Sequence, residues 1–389
     1  MAALPLHVVE VTPGTVGVHA ARQALTVRLD DAGPPFALVP APGRHTSADY
    51  SAMIRRCVRP DLPVDDDATV FVAATSGSTG TPRGVVITRD NLRAAVEGSW
   101  RHITGLDSCA WVLALPVTSI GGFGAIVRAH FAGTRLHVLE SVGGGTAFDP
   151  RTLVDLEVVE PFAISLVPRQ LDVILADRAA TAWLGRAHAV LVGAAATPRD
   201  LVMRARESGL ALVTTYGMTE TTGGCVYDGT PLPGVRIDVG DDGRIDVIGR
   251  QVAAGYRGNS DGFSGAGDDR RFRTADHGRW VDGRLTVLGR TDDVVMVHGV
   301  NVGLGAVESV IRDLVGVRDC AVIDVPGERT GQRLIAYVVV SDPACVTSIG
   351  PAVGERLGGA ARPDVVIVES LPVLPNGKID RAALRTAGE

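Results

Sequence analysis

The sequence predicts an α/β protein with a large N-terminal domain of parallel α/β sheets, a small barrel-like β subdomain, and a small α+β C-terminal domain. Three observations carry this reading. Short β-branched runs alternate with helix-spaced segments up to about Gly217, as βαβ units require. Beyond Gly217 the texture turns to Gly- and Asp-punctuated hairpins, and after Gly289-Arg290-Thr291-Asp292-Asp293 it changes again. A chain of 389 residues suits two or three domains at roughly 100–200 residues each.

The strand candidates are Val70 to Ala74, Ala110 to Leu115, Leu136 to Leu139, Ala163 to Val167, Ala189 to Val192 and Leu210 to Thr215, each bounded by Gly, Pro or Asp. Between them lie Asp90 to Ile103, Gly121 to Ala132, Arg151 to Val159 and Arg199 to Ser208, with helical spacing and several opened by Pro or a capping Asp. Hairpins are expected over Gly234 to Ile248 and Arg279 to Leu288. The final section reads as helix Leu304 to Leu314, strand Cys320 to Val325, strand Leu334 to Val340, helix Pro351 to Leu357 and strand Val365 to Val368. The domain boundary is placed near Asp292, giving domains 1–291 and 292–389.

Composition excludes several classes. Hydrophobic residues at 46% and charged residues at 21% are ordinary for a globular protein, and the apolar runs are far shorter than the roughly 20 residues of a spanning helix. No secretory signal is evident at the start, so a cytoplasmic setting is expected. The net charge is −6 and there is no extended basic cluster, which argues against a nucleic-acid partner. Cys57, Cys109, Cys225, Cys320 and Cys345 are scattered without a Cys-x-x-Cys pair, so neither a disulfide framework nor a zinc site is expected. Of the 38 basic side chains only Lys378 is a lysine. Composition alone leaves two readings of that exception: chance, since one lysine must fall somewhere, or a place that needs a compact ammonium on a flexible stem.

One segment reads either as a Gly-rich turn, the commoner role of such a string, or as a phosphate loop. Val70 to Ala74 reads as a strand, and Thr75-Ser76-Gly77-Ser78-Thr79-Gly80-Thr81-Pro82-Arg83-Gly84 then supplies backbone N–H groups, hydroxyls and one cation. It is not the Gly-x-x-x-x-Gly-Lys-Ser/Thr loop. Four further segments follow in order: Thr215-Tyr216-Gly217-Met218-Thr219-Glu220-Thr221, Phe272-Arg273-Thr274-Ala275-Asp276, Gly289-Arg290-Thr291-Asp292-Asp293, and Leu374-Pro375-Asn376-Gly377-Lys378-Ile379-Asp380-Arg381.

These five strings, from Thr69 to Arg381, resemble the motifs of the adenylate-forming superfamily of acyl-CoA synthetases, adenylation domains and luciferases. Arg83 stands where that family usually has Lys, and Ala275 where it has Gly. The resemblance implies ATP, Mg2+ and coenzyme A as cofactor and co-substrates, with a small-molecule carboxylic acid as partner and a homodimer as an admissible assembly. It implies catalytic roles for Lys378, Glu220 and Thr79, with Thr79 and Glu220 holding the metal. Nucleotide contacts would come from Thr75 to Gly80, Arg83, Gly193, Ala194, Ala195, Thr215 to Thr219, Asp276 and Arg290. Asp292 would be the hinge of a mobile C-terminal domain, and Val297, His298 and Gly299 would line the coenzyme A tunnel.

The brevity of the chain, the run Thr214 to Val235, and Leu166 to Leu171 look much like the o-succinylbenzoate–CoA ligases of menaquinone biosynthesis. That likeness implies an acyl pocket of Ser119, Gly122, Phe123, Val167, Gly193, Met218, Gly223 and Gly224. Ser119 departs from the His usual in that group, so another aryl acid stays open, as does a carrier protein or other nucleophile as acceptor.

Overall fold

The structure, a computed structural model, describes residues 4–43, 46–64, 68–75, 82–142, 148–297, 300–327, 331–373 and 379–388. The chain resolves into two compact units. One comprises Met1–Ala194, Ala205–Asp238 and Asp246–Arg273, the other Ala195–Arg204, Val239–Ile245 and Thr274–Glu389. The main division falls between Arg273 and Thr274, inside the strand Arg271–Val281.

The first unit holds two sheets. In one, strands His7–Val11, Phe36–Pro40 and Thr69–Ala74 run parallel, and Gly84–Thr88 and Gly255–Tyr256 complete the order antiparallel. In the other the order is Thr230–Pro231, Gly223–Tyr227, Leu212–Met218, Ala189–Val192, Phe162–Leu166, Ala110–Leu113 and Leu136–Val138. Its last five strands pair in parallel, as continuous apolar runs predict. Helix Ile120–Ala132 packs on the strand Ala110–Leu113 and sends Phe123 toward the first sheet. The Phe123 ring lies 4.2 Å from Phe71 and 6.0 Å from Phe36, so one aromatic cluster ties the helix to that sheet.

Among the departures from expectation are three changes of element bounds. The strand Leu212–Met218 runs through the Tyr-Gly pair instead of stopping at Thr215. The helix begun at Arg151 ends at Val154, because Val158 and Val159 are β-branched and Pro161 drives its predecessor to extended backbone. The helix expected to start at Pro351 starts at Val346 and carries Pro351 inside, where the ring removes one helical donor.

In the second unit the part of Arg271–Val281 from Thr274 onward turns back as Arg284–Arg290, with Asp276 opposite Arg290. A sheet follows, of Val300–Gly303, Val294–Val297, Gly331–Val340 and Val317–Gly327, with Asp364–Ile367 parallel to Gly331–Val340. Strand alternation sorts its side chains. Val322, Ala336 and Val338 face helices Leu304–Arg312 and Val346–Leu357, while Ile323, Ile335 and Tyr337 face Leu371 and Leu384 of the C-terminal segment.

One ion cluster is buried there. Glu308 accepts from Arg312 Nη2 at 3.0 Å, from the Val322 N–H at 2.9 Å and from Arg381. Two guanidinium groups offset its desolvation and hold the carboxyl below the usual range. Arg381 lies just past the segment 374–378, whose flanks are closed by a Val373–Ile379 bridge and an Asp380 N–H to Pro372 O bond of 2.9 Å. Among the described residues no helix is long and apolar enough to cross a membrane. Burial pushes the thiols of Cys57 and Cys320 up to about 12, so both stay protonated.

Candidate active site

The phosphate-loop candidate is a hairpin connection between antiparallel strands Thr69–Ala74 and Gly84–Thr88. Its neck is locked twice: the Thr75 N–H donates to Arg83 O at 2.8 Å, and the Arg83 N–H donates to Thr75 Oγ1 at 2.8 Å. Ser76, Gly77, Ser78, Thr79 and Gly80 lie outside the described residues. Past the neck, the Arg83 guanidinium sits 3.9 Å from the Tyr256 ring centroid, and its Nη2 is 4.0 Å from Glu220 Oε1. Tyr256 donates its hydroxyl to that same oxygen at 2.8 Å. Burial, then the Glu220 charge, pushes the Tyr256 phenol well above its ordinary range, so it remains a donor.

Glu220 is reached by a forced backbone path. Gly217 lies so close to the next strand that a Cβ there would fall 2.1 Å from Gly223 O, which only glycine permits. A short turn Thr219–Thr221 follows, capped where the Met218 N–H donates to Thr221 Oγ1 at 2.9 Å. Thr222 then adopts a left-handed φ of 54°, an outlier for a β-branched residue. Its Oγ1 donates to Gln251 O at 2.7 Å, and Gln251 Nε2 returns a bond to Thr221 O at 2.9 Å. This bracing leaves Glu220 8% exposed.

The strand end Ala189–Val192 delivers Gly193 and Ala194 against Thr215: a Cβ on Gly193 would lie 2.2 Å from Thr215 Oγ1, and Ala194 takes a left-handed φ of 67°. Tyr216 lies on the adjoining strand, partly buried. Ala195 belongs to the other unit and is exposed.

Ser119 is a helix cap. Its Oγ accepts from the Gly122 N–H at 3.1 Å and donates to Pro116 O at 2.7 Å, at the start of Ile120–Ala132. Ser119→Ala is therefore expected to cost about 1 kcal/mol in urea unfolding, and Ser119→Asp to preserve stability. Parent-like stability of Ser119→Ala would show the cap to be idle. Phe123 is fully buried, Val167 donates its N–H to Gln170 Oε1 at 3.1 Å, and Gly223 and Gly224 continue from Thr222.

A small cavity of about 10 Å³, room for one water, lies beside this helix, lined by Val96, Ile120, Phe123, Gly124, Arg128 and Thr222. Arg128 is 7% exposed. Its Nε donates to Ser99 Oγ at 3.2 Å, its Nη2 to Tyr227 OH at 3.3 Å, and its guanidinium lies 5.3 Å from the Trp111 ring. Among the described residues no carboxylate pairs with it. Sequence reasoning missed Arg128 and Tyr256. The signal for Arg128 was a lone cation in an otherwise apolar helix; Tyr256, one aromatic after a glycine, gave none.

In the second unit Arg290 Nη1 donates to Asp276 Oδ1 at 3.2 Å, and the Asp276 N–H donates to Thr274 Oγ1 at 2.9 Å. Asp292 lies in the turn Thr291–Asp293, its side chain outside the described residues. Val297 is 2% exposed and packs in the core. His298, Gly299 and Lys378 lie outside the described residues.

The implied Mg2+ fits what is present. Both contacts of the Glu220 carboxylate are at Oε1, leaving Oε2 without a partner among the described residues. A single buried carboxylate suits an ion that keeps water and takes substrate phosphates as its other ligands.

This chain belongs to the AMP-binding enzyme family: the model of the AMP-binding enzyme matches residues 9–257, and that of the AMP-binding enzyme C-terminal domain matches 306–378. A probable 2-succinylbenzoate–CoA ligase of Mycobacterium tuberculosis is 38% identical over 91% of this chain and 92% of its own length. The 2-succinylbenzoate–CoA ligase of Escherichia coli is 30% identical over 80% of this chain and 67% of its own. The fold is shared with o-succinylbenzoate CoA synthetase of Bacillus subtilis in complex with its acyl-adenylate intermediate, with a TM-score of 0.69 at 21% identity over 98% of this chain and 88% of that one. It is also shared with an amide bond synthetase of Marinactinospora thermotolerans, with a TM-score of 0.74 at 22% identity over 100% and 91%.

Proposed function

We propose that this chain is an ATP-dependent acid–CoA ligase that activates o-succinylbenzoate as its acyl-adenylate and passes the acyl group to coenzyme A. The class follows from family membership and from the relative matched along nearly its whole length. The observation that carries the choice of acid is Arg128. A buried guanidinium held by two hydroxyls and, among the described residues, by no carboxylate suits a ligand that brings its own anion. o-Succinylbenzoate has two carboxylates, one to be activated and one on the ring.

The first step is attack of the aliphatic carboxylate on the α-phosphorus of ATP, expelling pyrophosphate. Its main obstacle is anion–anion repulsion, so the residues act by charge and position. Lys378 bridges the attacking carboxylate and an α-phosphate oxygen. Arg83 and the N–H groups of the loop from Thr75 hold the β- and γ-phosphates. Glu220, with Thr79, would hold Mg2+, which would neutralise phosphate charge. Gly193 to Ala195 and Tyr216 flank adenine, and Asp276 with Arg290 takes the ribose hydroxyls. For thioester formation the C-terminal domain turns near Asp292, withdrawing Lys378 and bringing His298 and Gly299 to the pantetheine arm, while Val297, buried in that domain's core, anchors the segment behind them. Ser119, spent as a cap, supports a pocket in which Arg128 rather than a histidine reads the acid.

Pyrophosphate release over a panel of aryl carboxylates, with and without coenzyme A, tests this reading. The highest kcat/KM is expected with o-succinylbenzoate, and a thioester only with coenzyme A. Faster turnover of another acid would reassign the substrate, and product formed only with an amine or a carrier protein would reassign the acceptor.

A further inference from the structure

Tyr256 is fixed on every side. Its two-residue strand pairs with Gly84–Thr88, placing it opposite Val85. The ring is 6% exposed and packs edge-on against Phe263 at 5.1 Å and Phe272 at 6.4 Å. The Arg83 guanidinium lies over the ring at 3.9 Å, and the hydroxyl donates to Glu220 Oε1 at 2.8 Å. One closely packed side chain thus touches both the cation that leaves the phosphate loop and the carboxylate whose second oxygen has no partner among the described residues.

We propose that Tyr256 is a positioning residue: its hydroxyl pins Glu220 Oε1 so that Oε2 faces the nucleotide-bound Mg2+, while its ring holds Arg83 in register with the phosphates. The proposal rests on the reading of Glu220 as metal ligand and Arg83 as phosphate cation given above. The two functions separate chemically. Tyr256→Phe keeps the ring beneath Arg83 and removes only the hydrogen bond to Glu220. Tyr256→Leu removes both. A hydrogen bond to a charged group corresponds to roughly 10- to 100-fold in an equilibrium constant.

The test is ATP binding to the full chain by isothermal titration calorimetry, in Mg2+ and in EDTA. Tyr256→Phe should bind metal-free ATP as the parent does, which also verifies its fold, and should lose roughly tenfold or more of the gain in affinity that Mg2+ confers. Tyr256→Leu should weaken metal-free binding as well. A purely structural tyrosine would leave the Mg2+ gain untouched, so a parent-like gain in Tyr256→Phe overturns the proposal. Glu220→Gln separates the two layers. If it loses the gain while Tyr256→Phe keeps it, the positioning role alone is wrong; if it keeps the gain, the metal reading of Glu220 falls and the proposal with it.

Discussion

Lys378→Ala should lower acid-dependent adenylation by about 10²- to 10⁴-fold, the effect of removing one preorganised charge from a phosphoryl-transfer site. The carboxylate and the triphosphate repel each other, and a cation shared between them in the transition state gains most as the new P–O bond forms. Thioester formation from a supplied acyl-adenylate should be nearly unaffected, because that step needs Lys378 out of the way. The split between the two half-reactions is the diagnostic feature. Comparable losses in both would mean a general structural role, and parent-like adenylation would remove Lys378 from the mechanism. Amine-reactive labelling offers a companion readout, since Lys378 is the sole lysine of the chain: ATP should protect it.

Arg128→Met should fall by roughly 30-fold or more in kcat/KM for o-succinylbenzoate, the loss expected when one partner of a buried charge pair is removed. The same variant should turn over 4-oxo-4-phenylbutanoate, which lacks the ring carboxylate, about as well as the parent does. Methionine keeps an unbranched stem against Trp111 while deleting the charge. The parent, for its part, should discriminate against the monoacid, because that ligand leaves the guanidinium buried without an anion. Equal losses on both acids would show that Arg128 serves the packing of its helix and not the recognition of substrate.

The parts of the site that follow one another along the chain were legible in the sequence. The loop from Thr75 to Arg83 announces itself by glycines, hydroxyls and one cation, whereas the close approach that requires glycine at Gly217 appears only in the folded chain. What the sequence did not reveal depends on long-range pairing. Tyr256 meets Glu220 only because Gly255–Tyr256 adds to a sheet whose other members end near Thr88. Strands His7–Val11 and Phe36–Pro40, absent from the sequence reading, are short and made meaningful only by parallel partners elsewhere. The role of Ser119 was hidden for a different reason. A serine two residues before a glycine pair reads equally as loop or cap until the Gly122 N–H is seen to donate to it.

The path of one oxygen atom distinguishes an acyl-adenylate route from every other way of activating the acid. With o-succinylbenzoate labelled with 18O in its aliphatic carboxylate, turnover with ATP and coenzyme A should place one labelled oxygen in AMP, carried across when that carboxylate bonds to the α-phosphorus. Label in inorganic phosphate alongside ADP, or AMP formed without label, would contradict an acyl-adenylate route.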